Sequence, residues 1–238
     1  SANKMAKKEE NKDLLENAEV LQEKFVSIEH WIESNPKIVL GIIGVIVLAL
    51  GGIFGYRYYI DNQEDQAQKE MFQAVRYFEQ YIDAGSDSLK VALQGDGNNL
   101  GLLDIIDSYN GTPAANLANF YVGVIYLKQG KFKASRLYLE DFSSSDQLIQ
   151  ARAFSLIGDT YMEENDYSNA ADYYEKASGY KPTKEFSPGY LMKAALAYEK
   201  LNKNDKAVQV YEKVIAQYAE SLEAQRAKKY LAKLEPAS

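Results

Sequence analysis

Nineteen consecutive residues, Ile38 to Tyr56, are apolar, Gly or Tyr, and no charge interrupts them. As a helix this run covers about 28 Å, the hydrocarbon thickness of a bilayer. A core helix of that length in a globular protein would carry a polar stripe, and none is present. The run therefore predicts one transmembrane helix over residues 36–59. Pro36 suits a helix start, while Trp31 before it and Tyr56, Tyr58 and Tyr59 at its far edge are ring types that favour the bilayer interface. The run begins only after 37 residues, which predicts an uncleaved anchor instead of a signal peptide. Near the span the basic residues do not decide orientation, with Lys24 and Lys37 on one side and Arg57, Lys69 and Arg76 on the other. Counting Lys4, Lys7, Lys8 and Lys12 of the short tail places residues 1–35 in the cytoplasm and residues 60–238 across the membrane.

The tail has its own periodicity. Leu14, Ala18, Leu21, Phe25, Ile28 and Ile32 recur at alternating spacings of four and three, a heptad seam on a helix whose other faces carry Glu16, Glu19, Glu23 and Lys24. Two readings stay open for this amphipathic helix, one lying on the membrane surface and one binding a partner helix. His30 lies off the seam, and with no second His or any Cys it reads as a solvated residue and not a metal ligand.

Beyond the span, self-similarity governs the chain. A small residue followed three positions later by Tyr occurs at Gly123/Tyr126, Gly158/Tyr161 and Ala195/Tyr198, at spacings of 35 and 37 residues. In the second unit Ala170, Tyr174, Ala177 and Pro182 follow; in the third, Ala207 and Tyr211, with Val214 and Ala219 replacing the last two; in the first, Ser135, Leu139 and Phe142. These positions match the tetratricopeptide-repeat (TPR) signature, in which small residues let two antiparallel helices approach and aromatics fill the gaps. Turn signals fall at Gln129-Gly130-Lys131, Glu164-Asn165-Asp166 and Leu201-Asn202-Lys203-Asn204. The prediction is an all-α chain: N-terminal amphipathic helix, one transmembrane helix, then a TPR α-solenoid with a C-terminal capping helix. The capping helix runs over 221–234, with Leu222, Ala227, Tyr230, Leu231 and Leu234 facing inward. Residues 60–113 are expected to be connecting helices and a loop, and 114–238 the repeats and cap. A helix over 62–83 carries Met71, Phe72, Val75, Phe78 and Ile82 on one face, 84–99 reads as a loop-rich insert, and 100–109 as a short helix ended by Gly111. Gly95-Asp96-Gly97-Asn98-Asn99 lacks the ligand spacing of a calcium loop and reads as a turn.

Three hairpins behind an anchor that exits through Gly55-Tyr56-Arg57-Tyr58-Tyr59 into a Gln-rich helix resemble the YfgM-like ancillary subunits of the bacterial Sec translocon. The resemblance implies a bacterial inner-membrane protein with a periplasmic TPR domain. Its implied partners are the translocon channel subunits and a PpiD-like membrane-anchored chaperone; secreted client chains are a further class of partner that the repeats could receive. The long heptad-bearing tail and the insert from Ala84 depart from that pattern.

Composition narrows the function classes. Residues 58–238 carry 20 Lys/Arg against 26 Asp/Glu, an acidic balance that would repel a nucleic-acid backbone. The chain has no Cys and one His, and shows no phosphate loop or nucleophile elbow. The carboxylate groupings Glu163-Glu164 and Asp141 with Asp146 sit at expected turns, where acids are solvated. The expectation is a non-enzymatic protein without a cofactor or metal. The 19 Tyr read as aromatic packing between helices. For a TPR domain the working face is lined by the first helix of each hairpin. Counting along those helices, Leu117, Phe120, Val124, Leu127, Met162, Met192 and Leu196 are the expected partner-binding residues, with Arg152, Ser155, Asp159 and Glu199 at other inward positions. Phe120 and Val124 stand where a carboxylate-clamp TPR needs Lys and Asn, which argues against an acidic C-terminal peptide as ligand. An apolar, Met-bearing groove suits a partner helix or an unfolded client. The accompanying alternatives are a structural adaptor in outer-membrane biogenesis, secretion or division, and burial of the same residues against the helix over 62–83.

Overall fold

Residues 18–83 and 89–234 are described by the computed structural model. Leu14, Glu16, the lysines before residue 18 and the first five residues of the insert lie outside them. Eleven helices and no strand occur among the described residues: α1 (Ala18–Ser34), α2 (Pro36–Tyr81), α3 (Lys90–Gln94), α4 (Leu102–Ser108), α5 (Pro113–Lys128), α6 (Phe132–Asp141), α7 (Gln147–Glu163), α8 (Tyr167–Gly179), α9 (Ser187–Lys200), α10 (Asn204–Gln217) and α11 (Leu222–Leu234). The chain divides into two compact units, 1–59 and 60–238.

In the first unit, α1 stops at a one-residue break. The Asn35 N–H donates to the Ile32 carbonyl at 3.3 Å and its side-chain amide to the Trp31 carbonyl at 2.9 Å. The Asn35 carbonyl in turn accepts from the N–H groups of Ile38 and Val39, starting α2 with Pro36 where no donor is needed. No residue from Ile38 to Tyr59 is buried, and Leu48 is 78% exposed. A soluble core helix would hide such a surface; this one is long and apolar enough to cross a membrane.

The second unit begins with the later part of α2. Ala67, Met71 and Ala74, spaced four and three, are buried with Leu89, Ala92, Leu93, Leu102 and Ile105 against Ala114, Ala118, Val122 and Ile125 of α5. Residues 60–113 thus supply half of a core whose other half is the first repeat helix. The insert is also more than a loop, since α3 contributes Ala92 and Leu93. Phe72 departs from the expected face and is 64% exposed, because the buried stripe follows Ala67, Met71 and Ala74. The Glu64 carboxylate accepts from the Ala114 N–H at 2.8 Å, placing a negative charge on the unpaired amides at the start of α5. Asp96 organises the Gly95–Asn99 turn: it accepts from the N–H groups of Asn98 and Asn99 and from the Tyr77 hydroxyl at 2.7 Å. Those donors hold its carboxyl well below the usual carboxylate range, the Tyr77 hydroxyl contributing most.

Three hairpins follow, α5–α6, α7–α8 and α9–α10. Their turns repeat one geometry. Gly130, Asn165 and Asn202 all have positive φ, at 70°, 62° and 56°, where Gly and Asn are tolerated best. In each, the next N–H reaches back five residues: Lys131 to Tyr126, Asp166 to Tyr161 and Lys203 to Tyr198, all at 2.9 Å. Helix starts are capped by Thr112, Asp146, Asp166 and Ser221. Close approach within hairpins uses the small residues: a Cβ on Gly158 would sit 2.7 Å from the Tyr174 ring, and one on Gly123 2.5 Å from Leu139. Ser135, the departure in repeat one, is buried and donates its hydroxyl to the Gly123 carbonyl at 2.7 Å, so the small polar side chain is satisfied. Helix α11 closes the stack through Ala224 and Ala227, and Tyr230 stacks on Tyr211 at 5.6 Å. Leu222 faces outward, 69% exposed, because it precedes the Ala224/Ala227 stripe by half a turn.

Candidate functional site

The helices of the hairpins are joined by tyrosines whose hydroxyls donate to carboxylates. Tyr174 to Asp159 at 2.7 Å and Tyr211 to Glu199 join the two helices of one hairpin; Tyr173 to Glu140 and Tyr198 to Glu175, both at 3.1 Å, join neighbouring hairpins. Burial first, and the adjoining carboxylate second, pushes Tyr173 and Tyr198 up to about 12 and raises Tyr174 and Tyr211 further. These bonds give the Tyr-rich, acidic composition a purpose beyond ring packing. Between hairpins one and two, the Arg136 guanidinium pairs with Glu164 at 2.6 Å, donates to Thr160 and lies 4.3 Å over the Tyr161 ring, which stacks on Tyr173. Such joints fix the spacing of the surface that a ligand would meet.

That surface contains a cavity of about 510 Å³ between α5 and α7. Val124 and Leu127 from α5 and Leu156 and Met162 from α7 form its apolar part; Lys128, Arg152, Asp159 and Glu163 stand around them. Asp159 is already engaged. Besides Tyr174 it accepts from the Lys193 ammonium at 2.8 and 3.0 Å, and Lys193 also reaches Ser155 at 3.2 Å. This ion pair ties α7 to α9 and makes the middle of the face polar.

Of the residues expected to bind a partner, the cavity brings together Val124, Leu127 and Met162. Phe120 is instead buried, with its ring 5.3 Å from Phe142, in a core shared with Leu139, Ala153, Leu156 and Ile157. Leu117 is partly buried between that core and the one under α2. Met192 packs partly against the core of hairpins two and three, and Leu196 is exposed outside the cavity. Sequence counting had no means to find Lys193 or Lys128, since neither type fits an apolar groove. The only signal was opposite charge at Asp159 and Lys193, one repeat apart. Among the described residues no group of three His, Asp or Glu is placed to hold a metal ion.

Tetratricopeptide-repeat family patterns match residues 151–184 and 190–221, which correspond to α7–α8 and α9–α10. No curated protein matches the chain. Repeats of this class are in general non-enzymatic scaffolds for binding other proteins. The hairpin geometry and the matched patterns together show that this chain contains TPR repeats over residues 151–184 and 190–221, a repeat class that suggests protein–protein interaction.

Proposed function

We propose that the chain is a single-pass protein of a bacterial inner membrane, anchored by residues 36–59, with residues 1–35 cytoplasmic and residues 60–238 periplasmic. In this reading 60–113 is the base on which the TPR stack of 114–238 is built. The protein serves as an accessory subunit of the Sec translocon, receiving a partner or client chain without catalysing a reaction. One pair of features carries the reading: a helix long and apolar enough to cross a bilayer, in the same chain as stacked hairpins with an open cavity. Val124, Leu127 and Met162 supply the apolar contacts, Lys128 and Arg152 the charged rim, and Leu196 on α9 is a separate exposed apolar residue beyond the Asp159–Lys193 pair. A partly apolar cavity of about 510 Å³ can take side chains of a helix or of an extended segment. The aromatic-Arg-aromatic exit from the span supports placement beside the translocon through the resemblance given above.

The test is photo-crosslinking in living cells from Leu127 and Met162, with Leu137 on the exposed side of α6 as control. Crosslinks to translocon channel subunits or a membrane-anchored chaperone from the first two alone are expected. Crosslinks to an envelope complex lacking those subunits would replace the translocon role with that of a structural adaptor. A reporter fused after Ser238 should be active only in the periplasm; activity in the cytoplasm would refute the orientation.

A further inference from the structure

We propose that α1 is a parallel dimerisation element whose partner is a second copy of this chain. Phe25, Ile28 and Ile32, spaced three and four, are 69%, 53% and 44% exposed, a continuous apolar seam on one side of the helix. The register places Ala18, Phe25 and Ile32 at heptad a positions and Leu21 and Ile28 at d positions. The Asn35 break ends the helix immediately before the apolar part of α2.

Two occupants compete for such a seam next to an anchor: the lipid surface and another helix. Charge separates them. Helices that lie on anionic bilayers carry Lys and Arg on the polar face. Here α1 has Glu19, Glu23, Glu29 and Glu33 against Lys24 alone, so an anionic surface repels it. A second copy is complementary instead. In a parallel pair the g position of one helix meets the following e position of the other; these are positions 24 and 29, Lys and Glu in the sequence, and symmetry makes the match twice. Two copies anchored side by side by the same span bring the C-terminal ends of both α1 helices together, as a parallel pair requires. This step rests on the membrane-anchor reading above.

The chain contains no Cys, so a single introduced Cys reports alone. In membranes bearing the full chain, mild oxidation of Phe25→Cys or Ile28→Cys should give disulfide-linked dimers, whereas His30→Cys, at an f position opposite the seam, should stay monomeric. Adding Lys24→Glu to the Ile28→Cys chain should lower the trapped dimer about fivefold, and further adding Glu29→Lys should restore it. Monomer at both seam positions, equal dimer at position 30, no rescue by the charge swap, or a product joined to a different protein would overturn the proposal. Carbonate washing of the same membranes keeps the two readings apart. A chain released by the wash refutes the anchor, and a chain retained but not crosslinked refutes only the dimer.

Discussion

Gly158→Ala is the sharpest probe of how the hairpins are built. A methyl at that position lies 2.7 Å from both Cδ1 and Cε1 of Tyr174, whereas ordinary contact begins near 3.4 Å. The ring cannot simply swing away, because it is 2% exposed and its hydroxyl is bound to Asp159. Helix α8 must therefore retreat from α7, and overpacking of this kind costs about 1 to 3 kcal/mol. Opposing that, Gly to Ala inside a helix returns roughly 1 kcal/mol through lower backbone entropy. Gly189→Ala isolates the second effect, since a Cβ there meets nothing within 4 Å. The difference between the two variants is mainly the packing cost, since the backbone gain at Gly189, in the first turn of α9, is no larger than that at Gly158 inside α7. For a domain of this size it should appear as a melting temperature at least about 2 °C lower for Gly158→Ala than for Gly189→Ala. The assay is thermal unfolding followed by circular dichroism on fragment 60–238. In a Tyr174→Leu background, which removes the ring, the penalty of Gly158→Ala should vanish. A Gly158→Ala melting temperature equal to or above that of Gly189→Ala would refute the close approach of α7 and α8.

Fragment 60–238 should itself be soluble and mainly helical, since its cores are complete without the apolar part of α2; failure to fold would contradict the division of the chain. Arg136→Ala should destabilise it by about 1 to 3 kcal/mol, because the side chain is only 13% exposed and its guanidinium holds Glu164, Thr160 and the Tyr161 ring together. Arg136→Lys should recover little, as an ammonium lacks the planar fork, and melting of the three proteins checks both statements. The buried tyrosines predict alkaline unfolding: a phenol raised from 10 to about 12 in the fold lends stability present in full below pH 10 and lost as pH climbs from 10 through 12. Phenolate absorbance near 295 nm should then rise in step with loss of helix, and complete titration near pH 10 with helices intact would contradict it. Met162→Glu and Leu127→Glu should abolish partner capture while the fragment still folds, with a lowered melting temperature, because both side chains are only partly buried against their cores. Capture that survives both changes would move the binding surface elsewhere.

Local chemistry made much of this architecture legible before any coordinates. The apolar run, the Asn and Gly at three hairpin turns and the small-residue positions each act through the backbone or immediate neighbours, so spacing alone carries them. Phe120 and Phe72 show where that reasoning stops. Phe120 sits at a position that in isolation points toward the groove, but Phe142 after the hairpin and Leu156 of the next one close over it. Phe72 neighbours the buried Met71, and whether a stripe passes through one or the other depends on where α5 lies against α2.

Periodicity and local steric preference were enough to read the repeat helices, their turns, the repeat register and a segment suited to a bilayer, but not α3, whose five residues are too few to show a period. Packing between distant elements sets the rest: residues 60–113 share a core with the first hairpin, the tyrosine hydroxyls end on carboxylates of other helices, and Lys193 closes on Asp159. Those pairings join residues tens of positions apart, and the free energy that selects them comes from desolvation and charge matched across packed helices. No local spacing encodes that match.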